Sequence, residues 1–280
     1  MTKTWFITGA NRGLGLAIAR SILDAGHQVV ATARNPEQIT TQLGDYGSRL
    51  LAVKLDVTRP EEVDAAVAAA RQTFGGVDVL VNNAGYGQLG WFENTSDEQI
   101  RNQFETNVFG AMHVTRAVLP LMRERRSGHV FTISSVAGIY AVAGSSTYSA
   151  SKFAVEGWME GLAEEIRPLG IRATIVEPGF FRTDFLDSTS VSYGAYDLED
   201  YRSAVKQFIE WHNNMNHRQA GDPARLGHVL IELSDMAQPP VRFAAGSDAA
   251  GIVQKKGEAI RATAADFVEL SAFTDFPQGG

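Results

Sequence analysis

Short apolar runs recur along the first two thirds of the chain: Trp5–Thr8, Gln28–Thr32, Leu51–Leu55, Val77–Val81, His129–Ile133 and Arg172–Val176. Most are rich in Val and Ile, and they are nearly continuous rather than alternating. Strands buried on both faces have this pattern. Segments long enough for several helical turns lie between them. Arg59-Pro60-Glu61-Glu62-Val63 opens one with proline and acids in its first turn. Ser149–Leu169 reads as another. Alternating strands and helices predict a parallel sheet covered by helices on both faces.

After Pro178 the texture changes. Residues 184–222 are polar and aromatic, with Ser188-Thr189-Ser190, Tyr193, Tyr196 and Tyr201. This stretch is expected to be an inserted flap, and long stretches of this kind often act as lids. A seventh strand is expected at Val241–Ala245. A final helix is expected from about Ala249 to Leu270, followed by a loose tail at Pro277–Gly280. With no linker, repeat or low-complexity block, residues 1–280 read as one domain with a C-terminal helical extension over 249–280.

Composition narrows the function. The chain has 280 residues, 44% of them apolar and 20% charged, and a net charge of −7 from 25 basic and 32 acidic residues. That balance disfavours nucleic acid and anionic membrane as partners, since both need a basic face. The absence of cysteine excludes disulfides, thiolate catalysis and cysteine metal sites. The apolar run Trp5-Phe6-Ile7 breaks at Gly9, too short for a signal peptide, and no run approaches the ~20 apolar residues of a membrane span. The cytoplasm is the expected location.

The first strand runs into Gly9-Ala10-Asn11-Arg12-Gly13-Leu14-Gly15 and then a helical pattern. A strand, a glycine turn and a helix N-terminus together form an anion site, where backbone N–H groups and the helix dipole converge. The spacing is T-G-x-x-x-G-x-G, led by Thr8. The end of the second strand should decide the cofactor, because an acid there would hold a ribose 2′-hydroxyl. Ala33 stands at that place and Arg34 follows it, with Arg12 a second cation inside the turn. Guanidinium groups bind a 2′-phosphate that an acid would repel. NADP(H) is therefore expected in preference to NAD(H).

Tyr148-Ser149-Ala150-Ser151-Lys152 places a phenol and an ammonium one helical turn apart. A free tyrosine has a pKa of ~10, and bringing it near neutrality takes roughly 4 kcal/mol. A lysine at ~5 Å supplies roughly 3 kcal/mol at an effective dielectric of ~20. The expectation is that Lys152 makes Tyr148 acidic. Ser134-Ser135 closes the fifth strand and Asn82-Asn83-Ala84-Gly85 the fourth, and ligands of open α/β sheets bind at such strand ends.

Taken together, Thr8-Gly9-x3-Gly13-x-Gly15, Asp56, Asn82-Asn83-Ala84-Gly85, Asn107, Ser135, Tyr148-x3-Lys152 and Pro178-Gly179-x3-Thr183 resemble the short-chain dehydrogenase/reductase family. The C-terminal part resembles, more loosely, bacterial members related to hydroxysteroid dehydrogenases. The resemblance implies a Rossmann-like, doubly wound sheet of about seven strands in the order 3-2-1-4-5-6-7. It implies an oxidoreductase interconverting a carbonyl compound and its alcohol. Tyr148 would be the general acid/base, Ser135 would bind the substrate oxygen, Lys152 would tune Tyr148 and hold the nicotinamide ribose, and Asn107 would hold a water leading from Lys152 to solvent. Asp56 would contact the adenine and Thr183 the carboxamide. The cofactor-binding set is completed by Gly9, Asn11, Arg12, Gly13, Leu14, Gly15, Arg34, Val57, Asn83, Ala84, Gly85, Pro178, Gly179 and Phe181. For Asn107 and Asp56 the residues themselves leave another reading open: a helix-interior Asn bonded to backbone, and a turn or cap Asp.

The pocket is expected to be lined from Tyr86–Glu93, Gly138–Ser146 and Phe180–Tyr196. These bring Tyr86, Trp91, Phe92, Ile139, Tyr140, Val142, Phe180, Phe181, Phe185 and Leu186, which suit a fairly bulky apolar carbonyl compound. Phe180 and Phe181 are adjacent and cannot both face the same way in an extended segment. The six histidines have no metal-ligand spacing and read as surface or helix-end residues. No metal is expected. Arg123-Glu124-Arg125-Arg126 reads as a helix C-terminus. A non-catalytic NADP(H)-binding sensor on the same fold is the alternative. An epimerase or dehydratase fits the glycine spacing poorly. Monomer, dimer and tetramer all remain open.

Overall fold

Alternate side chains of the first strand enter two different cores. The chain, represented by a computed structural model, is described over residues 2–187 and 190–276. The expected tail at Pro277–Gly280 and the pair Ser188-Thr189 lie outside the described residues. In order, the elements are β1 (Thr4–Thr8), α1 (Gly13–Asp24), β2 (Gln28–Ala33), α2 (Glu37–Leu43), β3 (Leu50–Lys54), α3 (Pro60–Phe74), β4 (Val79–Asn82), β5 (Gly87–Leu89), α4 (Asp97–Phe104) and α5 (Gly110–Arg125). They continue with β6 (Gly128–Ile133), α6 (Ser146–Ile166), β7 (Ile171–Pro178), β8 (Val191–Tyr193), α7 (Arg202–Met215), α8 (Pro223–Asp235), β9 (Arg242–Ala245), α9 (Ser247–Asp266) and α10 (Val268–Ala272).

The main sheet has seven strands in the order β3-β2-β1-β4-β6-β7-β9, every pair parallel. With β5 and β8 set aside, this is the expected order. Those two pair separately as a small parallel ribbon, Gly87 opposite Val191 and Leu89 opposite Tyr193. The apolar runs are continuous because both sheet faces are covered. Phe6, Val30 and Leu80 pack with Val63 and Val67 of α3, Val114 and Val118 of α5, and Val155 and Met159 of α6. Trp5, Ile7, Val29 and Val79 pack on the other side with Ile18 and Ile22 of α1, Ile39 of α2 and Leu226 and Leu230 of α8.

Local signals act where expected. Pro60 opens α3, and Gly75 ends it at φ 80° in the left-handed region. Ser96 and Gln99 form a reciprocal cap on α4. The arginine run does end α5, Arg126 taking the left-handed position after it.

Three expectations change. The flap is not a bare loop, for it holds β8 and the whole of α7. The final helix breaks at Phe267, and only Ala249 of α9 is buried. One histidine is neither a surface nor a helix-end residue, and His212, in the last turn of α7, is buried. The first, His129, sits inside β6, with Nε2 at 2.9 Å from Thr174 Oγ1, and burial pulls its pKa down to about 3. No described helix is long and apolar enough to cross a membrane.

Candidate active site

The glycine turn leads directly from β1 into α1, and among the described residues no side-chain cap is seen at its N-cap position, Arg12. Its first-turn N–H groups at Gly13 and Leu14 therefore face the adjoining cavity, which both residues line. Gly9 and Gly13 have φ of 65° and 56°, which side chains beyond glycine rarely adopt. Gly15 does a different job from the one expected of it. It does not line the cavity; a Cβ there would lie 2.3 Å from Gly9 O and 2.4 Å from Asn83 Nδ2. It is a packing glycine that lets α1 approach the strand ends. Asn83 braces the same turn, its Nδ2 donating to Thr8 O at 2.8 Å and Gly9 O at 3.1 Å. Asn82 turns inward instead and donates to Thr115 and Thr132.

The turn, the ends of β2, β4 and β6, and the segment after β7 open on one cavity of about 950 Å³. Of the residues expected to hold cofactor, Gly9, Asn11, Arg12, Gly13, Leu14, Arg34, Asp56, Val57, Asn83, Ala84, Gly85, Pro178, Gly179, Phe181 and Thr183 line it. The set fits a dinucleotide: an uncapped helix start for phosphates, and the Arg34 guanidinium exposed beside Ala33 where an acid would otherwise stand. Asn11 lines the cavity while donating to Gln38. Asp56 spends Oδ1 on its own turn, accepting from Thr58 N and Oγ1 at 3.0 and 2.8 Å. Gly179 is tied to the fold as well, since a Cβ there would lie 2.2 Å from Asp248 Oδ2, which accepts from Phe180 N.

At the end of β6, Ser135 accepts from Ala137 N at 3.1 Å through its Oγ. Tyr148, in the first turn of α6, lines the cavity beside Ser135. Burial pushes the Tyr148 phenol up to about 12, against a smaller downward pull from the Ser135 hydrogen bond. Lys152 follows one turn on, but its Nζ donates to Ile133 O at 2.8 Å and lies 5.8 Å from the centre of the Tyr148 ring. Burial brings Lys152 down to about 8, opposed by nearby Glu156. The expected acidification of Tyr148 by Lys152 is thus absent here. The ammonium is committed to a strand-end carbonyl, and desolvation of a buried phenolate outweighs the attraction. Tyr148 stands as a neutral proton donor.

Asn107 sits in a π-helical turn, Glu105–Phe109, behind the cavity rather than on its wall. Its side chain accepts from Tyr86 N at 3.1 Å and donates to Tyr86 O at 3.0 Å. The side chain is therefore the backbone-bonded kind, and it holds Tyr86 in place. Thr183 is nearly buried, and its Oγ1 accepts from Phe185 N at 3.2 Å.

Tyr86, Tyr140, Val142, Phe180, Phe181, Phe185 and Leu186 line the cavity as expected. Trp91, Phe92 and Ile139 do not: Trp91 packs edge-on against Phe208, and Phe92 is 64% exposed. Phe180 and Phe181 do diverge, the first packing on Trp211 at 5.8 Å and the second into the core under α1. Sequence reasoning missed Phe208, Trp211, His212, Gln219 and Ile252, which also line the cavity. An aromatic at helical spacing in α7 was the signal available for the first two. Asp184, Asp187 and His217 also bring ligand atoms within 4.8 Å of one another, a grouping no local spacing announces.

Residues 3–193 match the family model described as short chain dehydrogenase. Oxidoreductase BOA17 of Botryotinia fuckeliana is 38% identical over 97% of this chain and 98% of its own. The 3-ketodihydrosphingosine reductase of Bacteroides thetaiotaomicron is 36% identical over 86% of each chain. Among solved structures, a short-chain dehydrogenase from Streptomyces avermitilis matches with a TM-score of 0.90 and 39% identity, over 99% of this chain and 100% of that one. The chain belongs to the short-chain dehydrogenase family, as an oxidoreductase that works by hydride transfer.

Proposed function

We propose that the chain is an NADP(H)-dependent oxidoreductase that interconverts a bulky apolar ketone or aldehyde and its alcohol, with Tyr148 as general acid/base. The observation that carries this reading is a buried, neutral Tyr148 beside Ser135 at the wall of a cavity with several aromatic residues that also receives an uncapped helix start. When bound, the nicotinamide supplies or accepts the hydride. The protein supplies the rest. The Ser135 hydroxyl and the Tyr148 phenol converge on the place where negative charge develops on a carbonyl oxygen. A phenol pushed up to about 12 is protonated throughout the neutral range, so it is ready to give its proton in reduction. Lys152, fixed to Ile133 O, is placed to hold a ribose and to steady the phenolate once the proton has left. Asn107 acts on the site through Tyr86, and a water toward Lys152 would rest on its backbone. Thr183 and Asp56 are assigned to the carboxamide and the adenine.

NADP(H) is favoured because Ala33 stands where an acid would repel a 2′-phosphate, with Arg34 exposed beside it. A bulky apolar substrate suits the aromatic wall, and the likeness to a 3-ketodihydrosphingosine reductase agrees with it. Residues 1–280 are read as one dinucleotide-binding domain whose 184–222 flap covers the substrate end, working in the cytoplasm.

The test is NADPH oxidation against a panel of ketones and aldehydes, with Tyr148→Phe run beside the wild type. Phe keeps the ring and removes the proton. Turnover is expected to fall at least ~100-fold, and equal turnover in the variant would overturn the assignment.

A further inference from the structure

His212 has no task in the hydride transfer just described. α7 carries it into the cavity wall between Phe208 and Trp211, with ring centroids 4.1 and 4.9 Å away. Its Nδ1 lies 2.8 Å from the carbonyl oxygen of Phe208. A carbonyl oxygen only accepts, so Nδ1 carries the ring proton of the neutral imidazole. Burial holds the pKa of the ring below its ordinary value, which keeps it neutral at pH 7. Nε2 is then a bare acceptor, and among the described residues nothing donates to it.

Gln219 gives a second, independent sign. It lines the same cavity and is 2% exposed, yet its amide oxygen has no hydrogen-bond partner. The backbone of Gln219 is held in place, its carbonyl accepting from Arg182 Nε at 3.1 Å. Polar groups buried without partners are unfavourable, and native proteins seldom keep them unless something completes them. Here an acceptor nitrogen and an unsatisfied amide belong to the lining of one cavity, beside Phe208 and Trp211. A purely hydrocarbon substrate would leave both unpaired.

We infer that the cavity wall formed by α7 and Gln219 is a polar subsite of two acceptors, and that the substrate is a hydroxylated ketone whose distal hydroxyl donates to His212 Nε2 while a second donor beside it meets the Gln219 amide oxygen. This rests on the carbonyl-reductase reading and adds a substrate class to it. The hydroxyl lies at the end of the substrate away from the carbonyl that meets Tyr148.

Matched ketones test it: benzylacetone against para-hydroxybenzylacetone, and propiophenone against para-hydroxypropiophenone, each rate divided by that for borohydride reduction to remove the electronic effect of the phenol. The wild type should favour the hydroxylated member in kcat/KM by about tenfold or more, because a site built to bond a hydroxyl rejects the analogue without one. His212→Phe should bring the ratio to near one, and His212→Gln, whose amide oxygen still accepts, should keep part of it. If His212→Phe does not fold, His212→Leu is read the same way. A ratio near one in the wild type, or an equal ratio in wild type and His212→Phe, overturns the subsite while leaving the reductase reading intact. No NADPH oxidation with either member of either pair by the wild type overturns the reductase reading itself, and the subsite with it.

Discussion

The glycine turn after β1 and the segment after Thr183 meet at one cavity but contribute to it in opposite ways. The turn offers main chain: N–H groups at an uncapped helix start, with glycines where a side chain would collide or where φ is positive. The later segment offers side chains: Phe185, Leu186, Phe208, Trp211, His212 and Gln219. Main-chain binding places demands on residue type at fixed spacing. Side-chain binding leaves the type free to follow the ligand. That difference explains why the cofactor end can be read without knowing the substrate, whereas the substrate end cannot.

The sharpest way to break the comparison is Gly15→Ala. In an exposed helix, Gly to Ala adds roughly 1 kcal/mol of stability. Here the new methyl would lie 2.3 Å from the Gly9 carbonyl oxygen, which is backbone and cannot swing aside. α1 must retreat from β1 and Asn83, carrying the phosphate-facing N–H groups with it. Affinity for NADPH, followed by its fluorescence, is expected to drop at least ~100-fold, about 2.7 kcal/mol, and Tm to fall rather than rise. A higher Tm with unchanged affinity would show that the turn tolerates a side chain and that the contrast is false.

Next in size is Arg242→Met. Arg242 on β9 belongs to the later region, but it holds two buried carboxylates that precede Thr183: Glu156 of α6, through NH1, and Glu177 of β7, at 3.2 Å, with exposed Glu160 at 2.6 Å. Burial raises Glu156 to about 7 and Glu177 above its ordinary value, in both cases against the pull of Arg242. Removing the cation leaves charge buried and unpaired, which costs about 3 kcal/mol, or roughly 5 °C in Tm for a chain of this size. The sign with pH follows from raised folded-state values. Below the unfolded carboxylate value of ~4.5 both groups are protonated in either state, and stability is lost as pH rises toward the folded values. The deficit of Arg242→Met should therefore be smaller at pH 5 than at pH 8 in thermal melts. A deficit independent of pH would mean that Arg242 acts by packing alone.

Legibility follows the same division. β1, β2, β4, β6 and β7 were visible as apolar runs because two-sided burial favours apolar residues, and Tyr148, Lys152 and Ser135 because a helical turn and a strand end fix their spacing. The electrostatics of Tyr148 were not. Spacing puts Lys152 beside it, but only the fold reveals that Ile133 O takes the ammonium and that burial dominates. Gly15 carried a signal for the wrong reason, since what it avoids is protein, whereas Gly179 both lines the cavity and packs against Asp248. His212 carried no signal at all. Its partner is a carbonyl within its own helix, and its surroundings are assembled from distant aromatic residues.

The mildest test concerns the side chain that breaks the rule for the first region. Arg34 is exposed, lines the cavity, and makes no hydrogen bond or ion pair among the described residues. Nothing in the fold therefore depends on it, and Arg34→Ala should leave Tm within about 1 °C, as for an ordinary surface substitution. A guanidinium on a 2′-phosphate contributes a charge-assisted bond of roughly 1.5–3 kcal/mol. Arg12, in the glycine turn, lines the same cavity and would share the phosphate, so the lower end applies: about a tenfold fall in the ratio of kcat/KM for NADPH over NADH. A fall in that ratio with Tm unchanged would place coenzyme choice in a side chain, even where the backbone does the binding. An unchanged ratio would assign the choice to Arg12 or to the missing acid at Ala33, and Ala33→Asp, which should turn preference toward NADH by charge repulsion, would then separate those two.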